Sequence, residues 1–225
     1  HRMAASSNGI IVSMRLRLIT TAAAVGLLAA LVAAAGVWML RDQGPAPSEP
    51  VGTVFPTARA LPAFELENHH GEPWTRASLQ GDWQFLFFGF TNCPDVCPMT
   101  LATLAGAVER LDADGGPVPE VVFVSVDPGR DDPETLGRYV EHFNDAFMGV
   151  TGEREAIDRL TGSLGISYSL GQPDENGDYP VDHSAAILLI NPEGDWQALW
   201  QPPHGREILA EEFRRIVRRY NEANH

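Results

Sequence analysis

The run WQFLFFGF at positions 83–90 is eight residues without a charge, and it leads straight into TNCPDVCPMT at 91–100. A stretch so short and so apolar has no solvent face, so it reads as a strand covered on both sides within a sheet. Beyond the second cysteine, Leu101, Leu104, Ala105, Val108 and Leu111 recur at helical spacing until Gly115-Gly116 stops them. A buried strand that hands over to a helix through a turn holding the chain's only cysteines, Cys93 and Cys97, limits the fold more than any other feature. Open α/β sheets tend to place their chemistry at such a strand's C-terminal edge.

The flanking pattern extends the picture. AFELENHHGEPW (63–74) reads as a short hairpin turning at His69-His70-Gly71, and VVFVSV (121–126) as a second buried strand. Asp132 followed by Pro133 supplies an N-cap and a first helical position for a helix to about Asn144. AFMGVT (146–151) predicts a short strand and 153–163 a helix. AAILLI (185–190), a turn at 191–194 and DWQALWQ (195–201) form a hairpin pattern, and Leu209, Phe213, Ile216, Val217 and Tyr220 stripe a closing helix. Strands alternating with helices, then a hairpin and a last helix, predict a mixed α/β sandwich with an N-terminal hairpin. Cysteines at the strand-to-helix junction make it thioredoxin-like.

Ahead of this region lies an apolar segment, 18–40, with no charge in 23 residues, where about 20 suffice to cross a bilayer as a helix. Arg15 and Arg17 before it belong on the cytoplasmic side, so the remainder is expected outside the cytoplasm, in the periplasm or its equivalent. Met14 reads as a start, which would leave residues 1–13 outside the natural chain. Ala33-Ala34-Ala35 resembles a signal-peptidase site, yet the apolar run continues to Leu40, which favours an uncleaved anchor. The expected organisation is a cytoplasmic N-terminus at 1–17, a transmembrane anchor at 18–40, a proline-rich extended linker at 41–61 and one folded domain at 62–225.

Net charge is −14, and all sixteen basic residues are arginine. Four of them precede the first acid, which leaves −18 for the rest of the chain. An acidic body of that kind argues against a nucleic-acid partner.

Two cysteines four apart close too small a loop to act as a structural staple, and a chain of this length needs none. The thiolate is the reactive and metal-binding form, and a helix N-terminus favours it. Residues i and i+4 share a helix face, so both sulfurs can converge. Two sulfurs alone make an incomplete metal site. Of seven histidines, His1 and His225 are terminal, His69 and His70 sit in a turn expected to be exposed, His142 lies in a helix and His204 precedes the last one. His183, in YPVDHSAAILLI, lies just before an apolar strand whose loop would approach the cysteine turn. A histidine so placed is more often structural than ligating, which leaves its role open on spacing alone. Met99 offers a thioether but, on a forming helix, is expected to pack.

FGFTNCPDVCP (88–98), VSVDPGRDDPETLGRYVEHF (124–143) and VDHSAAILLINPEG (181–194), in that order, resemble the Sco/SenC family of copper proteins from about Leu61 to Tyr220. The resemblance implies a thioredoxin-like fold and copper, as Cu(I) or Cu(II), held by Cys93, Cys97 and His183. It further implies delivery to the dinuclear copper site of cytochrome c oxidase, whose copper-bearing subunit would be the client. Another periplasmic copper carrier or a thiol oxidoreductase would be a further partner. One departure is Asp132, where the family more often has threonine; an N-cap survives it. The donor chemistry agrees, because soft thiolates select Cu(I), imidazole suits both oxidation states, and zinc would want a fourth ligand that is not in evidence. Asp127 and Asp182 are candidate groups behind the ligands, orienting the imidazole or its loop. Two other functions use the same sulfurs. One is a thiol–disulfide reductase working through the Cys93–Cys97 pair; the other is a peroxidase, which leaves His183 unexplained.

Overall fold

The structure is a computed structural model that describes Gly26 and residues 52–224. The folded region is built on an eight-stranded sheet in the order β1-β10-β9-β4-β5-β6-β2-β3, with β7 and β8 paired apart from it. The strands are β1 Thr53–Ala60, β2 Glu65–Asn68, β3 Pro73–Thr75, β4 Gln84–Gly89, β5 Glu120–Ser125, β6 Met148–Thr151, β7 Tyr168–Leu170, β8 Val181–His183, β9 Ile187–Ile190 and β10 Asp195–Trp200. The helices are α1 Val96–Ala113, α2 Pro133–Glu141, α3 Arg154–Leu164 and α4 Arg206–Asn224.

Every residue of β4 is buried, as its unbroken apolar run requires. It lies between β5, its parallel neighbour, and β9, its antiparallel one, with Phe87 opposite Phe123 on one side and Ile187 on the other. β6 continues the parallel set beside β5. The β2–β3 hairpin expected from the first motif closes that edge, antiparallel to β6. Helices α1 and α4 pack together, and Phe213 of α4 meets Trp83 and Phe85. Such ring pairs contribute about 0.5–1.5 kcal/mol beyond the area they bury. The arrangement is mixed α/β and thioredoxin-like, with the cysteine turn at the C-terminal end of a central strand.

Local chemistry accounts for the element ends. Asp132 caps α2 by accepting from the Thr135 N–H at 2.7 Å, and Pro133 takes the first helical position. At the β9–β10 turn the Asn191 side chain accepts from Glu193 N–H at 3.1 Å and Asp195 N–H at 2.9 Å, and Gly194 takes φ +78°.

Two segments differ from expectation. Residues 53–60, read from the proline-rich run they belong to as the end of an extended spacer, form strand β1 on β10. Proline is admissible there because β1 is an edge strand, and Pro56 falls within the break in register between Val54 and Arg59. Phe55 is buried edge-on against Trp196, with ring centroids 4.8 Å apart. Second, the stretch leading to His183 is a two-stranded ladder, β7–β8, rather than a plain loop. Among the described residues no helix is long and apolar enough to cross a membrane, and the apolar segment 18–40 lies outside them except for Gly26.

Candidate metal centre

The centre begins where β4 ends. Gly89 is the last strand residue, and Phe90 through Cys93 form a turn closed by Cys93 N–H to the Phe90 carbonyl at 3.3 Å. Helix α1 starts at Val96, and its N-cap Asp95 makes no side-chain capping bond. The Cys93 sulfur takes that place, accepting from the Cys97 N–H at 3.4 Å. Cys93 thus precedes the helix rather than sharing a face with Cys97, and the turn is what brings the sulfurs together.

Cys97 is completely buried beneath Gly89. A Cβ built on Gly89 would lie 2.6 Å from the Cys97 sulfur and 2.7 Å from Phe123, so only glycine leaves room for the thiol. Burial pushes the Cys97 thiol well above its ordinary value, so it is protonated at neutral pH. Both cysteines are free.

His183 ends β8, opposite Tyr168. Its Nδ1 lies 3.1 Å from the Ser184 carbonyl, an acceptor only, so Nδ1–H donates and Nε2 carries the lone pair. That lone pair faces the Cys97 sulfur at 3.2 Å and accepts its S–H. Phe87 and Phe90 hold the imidazole edge-on, with ring centroids at 6.1 and 5.8 Å. Burial lowers the His183 pKa, against smaller opposing contributions from the Ser184 and Phe88 carbonyls and from Asp182, so the ring is neutral at pH 7. Ligand atoms of Cys93, Cys97 and His183 all lie within 4.8 Å of one another. Two sulfurs and one tautomer-fixed imidazole nitrogen match the donor preference of a soft cation.

The acids divide. Asp127 is wholly buried at the end of β5 and does not touch His183. One of its oxygens accepts from Arg130 Nε and the other from the Tyr179 hydroxyl, each at 2.5 Å. Asp182 is exposed, opposite Ser169, and reaches His183 only through its charge. Met99, expected to pack, is 59 % exposed because it falls on the outer side of α1. His204 donates from Nε2 to the Ala185 carbonyl at 2.7 Å, and His69 accepts from the Gly149 N–H at 2.9 Å, so His69 is a half-buried tie rather than an exposed turn residue.

The sequence reading passes over Asp131. This buried carboxylate accepts from Thr91 N–H at 3.0 Å, Thr91 hydroxyl at 2.5 Å and Ser125 hydroxyl at 2.6 Å. It ties the start of the cysteine turn to the end of β5. The only hint in the sequence is its place four residues after Asp127, which says nothing about a partner 40 residues away.

A family model described as SCO1/SenC matches residues 55–218. The mouse protein SCO2 homolog, mitochondrial, is 40% identical over 163 residues, which cover 72% of this chain and 62% of that one. The chain spans about three fifths of the length of the first such relatives. Among solved structures, Arabidopsis thaliana ScoI with copper bound is 34% identical with a TM-score of 0.68, covering 71% of this chain and 99% of that one. Yeast Sco1 with copper bound is 27% identical with a TM-score of 0.67, covering 71% and 89%.

Proposed function

This chain belongs to the SCO1/SenC family, and we propose that it is a membrane-tethered copper chaperone whose cargo is held by Cys93, Cys97 and His183. The observation that carries the reading is the convergence of the three ligand atoms, from segments 86 residues apart, within 4.8 Å. Relatives solved with copper bound support it. The client is the copper-bearing subunit of cytochrome c oxidase, at its dinuclear site. Another extracytoplasmic copper carrier or a thiol oxidoreductase acts before it. The apolar segment 18–40 is the anchor, with the folded domain on the periplasmic or equivalent side.

The chemistry suits transfer. Thiolates and imidazole are a soft, low-coordinate set for Cu(I), with room for a client thiolate to enter before a chaperone ligand leaves. Loading expels the Cys97 proton, and the His183 nitrogen is already unprotonated. Asp127 anchors the loop that carries His183, and Asp182 adds negative charge beside the imidazole. A second reading, a thiol–disulfide reductase, rests on both cysteines being free and adjacent. Oxidising the pair to a disulfide would give two electrons to the client and remove both thiolate ligands.

The test is titration of the full chain with Cu(I) and Cu(II), wild type against Cys93→Ser, Cys97→Ser and His183→Ala. One copper per chain is expected. His183→Ala should weaken binding by more than the roughly 10- to 100-fold that loss of a group behind the ligands costs, while the dithiol potential stays near wild type. A wild-type stoichiometry near zero rejects the chaperone reading. Binding that ignores His183 leaves the reductase.

A further inference from the structure

We propose that Tyr179 is a positioning residue for His183, latching the hairpin that carries it so that the imidazole stays over the two cysteines. The inference rests on the copper reading above and names the part that sets how long His183 stays in place.

The two halves of the centre are held by different means. Cys93 and Cys97 ride on the β4–α1 turn, which Asp131 binds to the large sheet. His183 rides on β8, which pairs only with β7 and shares no rung with that sheet. Between β7 and β8 the chain makes an excursion through residues 171–180. Its base is closed by Gly171 N–H to the Pro180 carbonyl at 2.8 Å, and its tip by the Asp174 side chain, which accepts from Asn176 and Asp178 N–H. These bonds shape the loop without fixing it to the body of the domain.

On the β7 side, opposite His183, the Tyr168 hydroxyl donates to Asp158 of α3; on the side of the excursion that leads into His183, Tyr179, four residues before it, makes the connection. Its hydroxyl donates to Asp127 Oδ1 at 2.5 Å, and Asp127 is completely buried beyond the end of β5. Arg130 reinforces the contact from both sides: its Nε donates to Asp127 Oδ2 at 2.5 Å, and its guanidinium carbon stands 3.8 Å from the Tyr179 ring centroid. The same guanidinium is 5.8 Å from the ring centroid of Phe90, which stands T-shaped against the His183 imidazole. The Asp127 N–H donates to Ser125 Oγ, and that hydroxyl donates to Asp131. The latch and the cysteine turn are thus anchored to one connected set of side chains. A Cβ on Gly129 would come within 3.4 Å of the Tyr179 hydroxyl, so the glycine leaves that approach open.

If the latch sets the dwell time of the imidazole, removing the hydroxyl must speed metal loss while leaving the sulfurs as they are. The experiment loads full-length wild type, Tyr179→Phe, His183→Ala and the double variant with Cu(I), then follows transfer to an excess of a colorimetric Cu(I) chelator by stopped flow. Tyr179→Phe is expected to release copper about tenfold faster than wild type, since a hydrogen bond to a charged group is lost. In the His183→Ala background the same change should add nothing, because the latch then has no ligand to hold. Arg130→Gln, which leaves the Tyr179 hydroxyl in place, should shift release in the same direction. It secures the test should Tyr179→Phe fail to fold. Release at the wild-type rate in both single variants overturns the latch, and so does an effect of Tyr179→Phe that persists undiminished without His183. Wild type that takes up no copper at all overturns the parent reading and the latch with it, a result distinct from either of those.

Discussion

Gly89→Ala tests the tight packing beneath the cysteine turn. The added methyl would stand 2.6 Å from the Cys97 sulfur and 2.7 Å from Phe123, and ordinary contact begins at 3.4 Å, so the sulfur must retreat by about 0.8 Å. It has nowhere to go without disturbance, since Cys97 is fully buried and His183 Nε2 lies 3.2 Å away. Overpacking of this kind costs about 1–3 kcal/mol. The loss of backbone freedom in the unfolded chain returns about 0.4–1 kcal/mol. The net is about 1–2 kcal/mol, or about 2–8 °C in Tm for a domain of this size. The effect on metal should be larger, because ligand distances are held to about 0.2 Å and the displacement is several times that. The assay pairs thermal unfolding of the metal-free protein with competitive Cu(I) titration. Gly162→Ala serves as the matched control: it is exposed in α3 with nothing within 4 Å of the added carbon, so the same methyl should raise stability by about 0.4–1 kcal/mol. A Gly89→Ala protein that melts at or above wild type and keeps its copper affinity would refute the argument that glycine is there to admit the thiol.

Two further outcomes follow from the buried groups. Asp131→Asn replaces one of the two oxygens that share three donors with an NH2 group facing the donor side, so it should cost about 1–3 kcal/mol, seen as a lower denaturant midpoint at unchanged m-value. The raised pKa of Cys97 means that the folded, metal-free protein keeps a proton that the unfolded chain gives up near 9.0. Its stabilisation is complete below that pH and is lost as pH rises above it, so Cys97→Ser should make the decline in denaturation free energy between about pH 8 and 11 shallower.

The parts of the fold legible in the sequence are those whose burial leaves a pattern. β4 and β5 are apolar end to end because both faces are covered, and α2 announces itself with Asp132-Pro133. β1 was hidden because Pro56 and the prolines around it argue against a strand, and only its edge position makes one admissible. β7 and β8 were hidden because three-residue strands set among Gly, Pro, Asp and Asn carry no alternation. At the candidate centre, the cysteines and His183 were legible as residue types of the right chemistry. Their convergence was not, since it depends on a turn, a capping sulfur and a separate hairpin. Asp131 was illegible for a plainer reason: beside Asp132 it looks like the start of a helix, and its task is set by Thr91 and Ser125 across the sheet. Met99 was misjudged because helical spacing says which residues share a face but not which face looks outward.

The β7–β8 ladder, standing apart from the eight-stranded sheet, separates two demands that the proposed carrier role would make at once. Letting go of the imidazole breaks no rung of the main sheet, so the energy of release is decoupled from the energy of the fold. On the proposed carrier reading, variation in the 171–180 excursion would retune how readily the cargo is surrendered while the domain's melting behaviour stays where its core sets it.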